Sequence, residues 1–165
     1  MPIFAQVRYA YSMGLPVPTL LRLKSQLDCL PVVVAGAGEG ALDKKPAPDK
    51  WSARQNLAHL ARYHEIFLDR LERIVCEDRP MLERYSAERD AEWPHWNALP
   101  ANEVLSRMHA LRMELIESVG QLSDDELSRT AAHSRFGEMT LVQWLEFFLL
   151  HEAHHLFVVM QRVRE

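Results

Sequence analysis

Residues 141–160, LVQWLEFFLLHEAHHLFVVM, constrain the fold more than any other stretch of the chain. They are enough for roughly five and a half helical turns. The run carries too much Leu, Phe and Val for an exposed helix. Gln143, Glu146, Glu152 and three histidines make it equally unsuited to spanning a membrane. Such a helix must be surrounded by others. With Leu141 at zero and about 100° per residue, Trp144, Phe148, His151, His155 and Val159 form one stripe. Two imidazoles one turn apart therefore lie on the face expected to be buried, while His154 falls toward the less apolar side. Buried imidazoles need partners: a carbonyl, a water, or a divalent metal such as zinc, nickel or iron.

Three further helical periodicities supply the surroundings, and nothing alternates as a strand would. The first helix is expected from Pro18, through Leu20, Leu23, Leu27 and Leu30 to Val34, divided by Pro31, which lacks the amide owed to Leu27. Residues 36–50, with three glycines and two prolines, read as a loop. The second helix follows Trp51, where Ser52 and Gln55 make a capping box, and runs to about Val75. Residues 77–100 form a long crossover between helices 2 and 3, with a short helix expected at 81–91. The third helix covers about 102–119 and ends at Gly120; a short helix follows Ser123, whose box partner is Glu126. Thr140 and Gln143 cap the last helix. Four long helices make an all-α four-helix bundle the economical fold, in a single domain over 1–165 with an atypical aromatic extension at 1–16.

Composition bounds the partners. The 165 residues carry a formal charge of −4, which argues against nucleic acid or an anionic membrane and leaves a small molecule as the expected substrate. Cys29 and Cys76, far apart, read as thiols of a cytoplasmic protein. The first residues lack the pattern of a signal peptide.

Two histidines hold a metal poorly, so a third ligand is expected from another helix. His59, one turn into the second helix on the flank of Tyr63, Ile66 and Phe67, is one candidate; His64, on the main apolar stripe, is another, and position alone does not separate them. His109 at the edge of the third helix and His133 near Gly137 read as boundary or surface residues. Glu152 falls among Leu141, Leu145 and Val159, and Arg112 among Val104, Met108, Leu111 and Leu115. A buried carboxylate and a buried guanidinium each demand a partner, so the two are expected to pair between helices. His151, Glu152 and His155 also match the HExxH core of a zinc protease, which would make Glu152 a base. The ten residues beyond His155 leave no room for that pattern's downstream ligand.

The segments Lys50-Trp51-Ser52 with Asn56-Leu57-Ala58-His59-Leu60, and Arg135-Phe136-Gly137-Glu138-Met139-Thr140-Leu141 followed by His151-Glu152-Ala153-His154-His155-Leu156, resemble the DinB/YfiT-like superfamily. The resemblance implies a four-helix bundle, commonly a homodimer. It also implies a metal triad of His59, His151 and His155, with His154 as a bystander and Arg112 as a recurring arginine of the third helix. Relatives in that superfamily include enzymes in which a metal activates a low-molecular-weight thiol. The leading expectation is thus a metal-dependent, thiol-dependent transferase acting on a small electrophile, with His109 or Tyr63 assisting proton transfer. The alternatives are a hydrolase using a metal-activated water, with Glu152 as base, and a non-enzymatic metal-binding bundle.

Overall fold

The computed structural model describes residues 14–165. Of the extension expected over 1–16, the first thirteen residues lie outside the described residues. Four helical columns form the bundle. The first combines α1 (Val17–Ser25), a 3-10 turn (Gln26–Cys29) and α2 (Leu30–Val33). It is divided as expected, but the break falls at Ser25, and Pro31 sits in the first turn of α2, where a missing amide costs nothing. The other columns are α4 (Ala53–Cys76), α6 (Ala101–Gly120) and α8 (Leu141–Arg162), with α4 packed against both α6 and α8.

Local chemistry sets the helix starts. Ser52 Oγ accepts from Gln55 N and Gln55 Oε1 from Ser52 N, both at 3.1 Å, and the Thr140–Gln143 pair repeats the box at α8. Gly120 is the last residue of α6 and not the residue beyond it, with Gln121 capping in helical geometry.

Three expectations give way. The 36–50 segment contains a short helix, α3 (Glu39–Asp43). In the crossover the α-helix lies at Trp93–Ala98 (α5), where Pro94 occupies the first turn, while the 81–91 stretch holds only a 3-10 turn at Ala87–Arg89. A three-stranded sheet also closes one end of the bundle: β1 (Met81–Leu82) runs parallel to β2 (Thr130–His133), which pairs antiparallel with β3 (Gly137–Thr140). β1 is too short for alternation to be visible, and β2 and β3 are at its four-residue lower limit. Gly137 has φ +75°, a conformation that suits glycine where the β2–β3 turn closes. The short helix α7 (Asp124–Ser128) precedes β2. No described helix is long and apolar enough to cross a membrane.

The apolar interior is in two parts. One contains Leu23, Phe67, Leu115, Leu145 and Phe148; the other contains Leu30, Leu57, Leu60, Met108 and Val159. On α4, α6 and α8 the boundary between them carries His64, Arg112 and Glu152, all buried. A polar layer thus crosses the bundle, and the candidate site opens beside it.

Candidate metal centre

Helical spacing places Asn56, His59 and Tyr63 on one side of α4, facing His151 and His155 one turn apart on α8. One ring nitrogen from each of His59, His151 and His155 lies within 4.8 Å of the others. The Nε2 atoms of His59 and His151 are 3.1 Å apart. At that separation both nitrogens could be ligands of one ion. Burial, with His155 adding to it, holds His59 down at about 3. Burial and the two neighbouring rings hold His151 at about 2, and burial with His154 holds His155 at about 4. All three rings are therefore neutral near pH 7, as ligands must be.

The Nδ1 atoms of His59 and His151 are buried without a partner. Two imidazoles sharing a single Nε2···Nε2 contact, with both other nitrogens idle, are not a satisfied core pair. The two Nε2 atoms that converge are the ones a shared ion would take, and each Nδ1 then has no acceptor among the described residues. His155 differs: its Nδ1–H donates to Asn56 Oδ1 at 2.8 Å, and Asn56 Nδ2 donates to Ser52 O at 2.8 Å. The second bond fixes which way the amide faces, so the first leaves His155 Nε2 with its lone pair free.

His64 is excluded from the set by its own bonds. Its Nδ1–H donates to Leu60 O at 2.8 Å, while Nε2 accepts from Arg112 Nε and Nη2 at 3.2 and 3.1 Å. Burial and the Arg112 charge hold it at about 3. The choice that position left open thus falls to His59.

Glu152 lies in the polar layer, fully buried. Arg112 Nη2 donates to its Oε1 and Gln26 Nε2 to its Oε2 at 2.8 Å. Arg112 also donates to Leu23 O at 2.8 Å, tying α6 to the first column as well as to α4 and α8. The expected pairing is present. Burial raises the carboxyl above the usual range while Arg112 and Gln26 pull it down. So held, Glu152 does not line the cleft described next.

That cleft, of about 550 Å³, runs from the three histidines to the crossover at 83–89. Trp51 and Tyr85 wall the centre, their rings 5.0 and 5.4 Å from His59 between centroids, and Trp93 stacks on Trp51 at 5.1 Å. Tyr63 lies 4.3 Å from the His151 ring, and its hydroxyl accepts from Arg70 Nη1 at 2.8 Å. Burial raises the Tyr63 phenol. His133, expected at a surface or boundary, is buried at the end of β2 and also lines the cleft. His109 and His154 are exposed, and His109 is not brought to the cleft.

Sequence reasoning missed Arg70. It stands seven residues beyond Tyr63, on the same side of α4 and next to Phe67, in an apolar setting comparable to that which singled out Arg112.

Comparison with known proteins bears on both fold and site. The DinB superfamily model matches residues 22–158. The Bacillus subtilis protein YuaE is 25% identical over 134 residues, 73% of this chain and 82% of YuaE. A "putative metal-dependent hydrolase" of Oceanobacillus iheyensis is 29% identical over 115 residues, 70% of this chain and 66% of that protein. The solved structure of Bacillus subtilis YfiT is described as a probable metal-dependent hydrolase with an unusual four-helix-bundle topology. It superposes with a TM-score of 0.77 at 20% identity, covering 89% of this chain and 85% of YfiT. That likeness establishes the fold.

Proposed function

The chain belongs to the DinB superfamily, and from that premise we propose that it is a metal-dependent hydrolase of small molecules whose metal is held by His59, His151 and His155. The observation that carries the reading is the convergence of three neutral imidazoles, one ring nitrogen of each within 4.8 Å of the others. The hydrolase names borne by relatives support this reaction class over the thiol-dependent transfer expected from sequence, which would use the same three ligands.

A divalent ion with three imidazole ligands keeps its charge and open positions, and so lowers the pKa of a water and polarises a carbonyl. The chain's residues do the rest. Asn56 holds His155 in the tautomer that ligation requires. Trp51, Trp93 and Tyr85 shield one side of the centre from solvent. Tyr63 keeps its proton, because burial raises the phenol, and its oxygen already accepts from Arg70, so its O–H is free to donate to a substrate oxygen. Glu152 is not the base: its oxygens are engaged by Arg112 and Gln26. A cytoplasmic homodimer is the proposed setting. It rests on the superfamily resemblance and on the free thiols of Cys29 and Cys76.

The test is metal analysis of the purified protein and its His59→Ala and His155→Ala variants, followed by turnover of a panel of activated esters and amides with zinc, nickel or iron supplied. One equivalent of metal lost in both variants, with turnover lost alongside, is the expected result. Protein that takes up none of the three ions overturns the proposal.

A further inference from the structure

Arg70 is 5% exposed and lines the cleft, yet it pairs with no carboxylate among the described residues. The other buried arginine differs: Arg112 is bound to Glu152. Arg70 Nη1 donates to Tyr63 and Nη2 to Glu83 O at 2.5 Å, and the remaining guanidinium N–H groups have no described acceptor. Its cation is held over two aromatic faces, 5.5 Å from the Tyr63 and Trp144 centroids. A buried guanidinium without a counter-ion is costly unless an anion completes it.

His133, 4% exposed, stands on the same wall. The backbone N–H groups of Arg135 and Phe136 both donate to its Nδ1, at 3.0 and 3.2 Å. Nδ1 must therefore carry the lone pair and Nε2 the proton. No described group accepts from Nε2–H, and it is not among the buried unpartnered atoms, so it remains reachable by a ligand. Burial, and after it the Arg70 charge, disfavours protonation of this ring, which keeps it neutral with that one donor. Tyr63 lies between this wall and His151.

We infer that Arg70 and His133 form a subsite for a carboxylate of the substrate, one ring's width from the metal centre. The match is to a single negative charge: at the cleft's edge Glu83 and Glu88 offset Arg84 and Arg89, which leaves the one buried guanidinium of Arg70 and one neutral N–H to face the ligand. The identity of the ligand as substrate rests on the hydrolase reading; the binding site does not.

The test is calorimetric titration of the metal-free protein with benzoate and with its neutral isostere benzamide, repeated with inorganic phosphate. Benzoate is expected to bind at least tenfold more tightly than either. Arg70→Gln should abolish that preference. His133→Phe, which keeps a ring against Phe136 and Phe147, should weaken benzoate several-fold. Circular dichroism establishes that each variant folds; if Arg70→Gln does not, His133→Phe decides. Equal binding of benzoate and benzamide, a preference for phosphate, or benzoate affinity unchanged in a folded variant overturns the subsite. Because no metal is present, none of these outcomes depends on whether the centre hydrolyses anything.

Discussion

Asn56 and His155, ninety-nine positions apart in the chain, meet through a 2.8 Å hydrogen bond from the imidazole Nδ1–H to the amide oxygen. The amide is held in turn by the carbonyl of Ser52, the residue that caps α4. Helix capping and ligand orientation are thus one structure. The start of α4 fixes the amide, and the amide fixes which nitrogen of His155 faces the centre.

Removing that support should loosen the metal without removing a ligand. In Asn56→Ala, zinc affinity is expected to fall about 10–100-fold, the usual cost of losing such a partner. Competition with a chromophoric chelator measures it, and unchanged affinity would show that His155 is oriented by other means.

The Arg112–Glu152 pair is buried on both sides, at 3% and 0% side-chain exposure. Taking away one partner strands a charge, so Arg112→Ala should destabilise the fold by about 3–5 kcal/mol in urea unfolding. It also removes the bonds to His64 and Leu23. A loss below about 1 kcal/mol would mean that the pair does not hold the four columns together.

The pH dependence of the metal-free protein follows from His64, His59, His151 and His155, whose imidazoles are held at about 3, 3, 2 and 4 by burial. As pH falls below 6.5 the unfolded chain takes up protons that the folded chain refuses, so the stabilisation present above 6.5 drains away toward pH 4 and below. Denaturant midpoints should fall steadily from pH 7.5 to 5. A flat profile across that window would contradict neutral burial of these rings.

Metal should act in the opposite sense. Free zinc at about 100 times its dissociation constant adds about 2.7 kcal/mol to unfolding, provided the unfolded chain does not bind it. The melting temperature of the wild type should rise on zinc addition and that of His151→Ala should not. An equal rise in both would place the ion elsewhere.

Much of this architecture was legible one helix at a time. Ser52–Gln55 and Thr140–Gln143 announce the starts of α4 and α8, because capping is chemistry between residues three apart. The burial of His151 and His155, and the anomaly of Glu152 and Arg112 among apolar neighbours, follow from the 100° helical increment alone. The sheet was not legible, since Met81–Leu82 offers two residues and its pairing with Ala132 and His133 spans fifty-one positions. Arg70 and His133 escaped for a related reason. An arginine on a helix flank and a histidine near a turn become parts of one wall only when the crossover folds back over α4.

The sequence by itself determined the long helices α4, α6 and α8, the face each one buries, and the two residues of α8 that can hold a metal. These depend on contacts within one or two turns, which the chain encodes locally. Helix position left open which histidine of α4 completes the set; the resemblance implied His59, and the tertiary structure supplies the physical reason. His64 faces Arg112 on α6 and is consumed by the polar layer, while His59 faces α8 with its Nε2 beside that of His151. Both sit on the same helix, and only the packing of α6 and α8 on different sides of it gives them different chemistry.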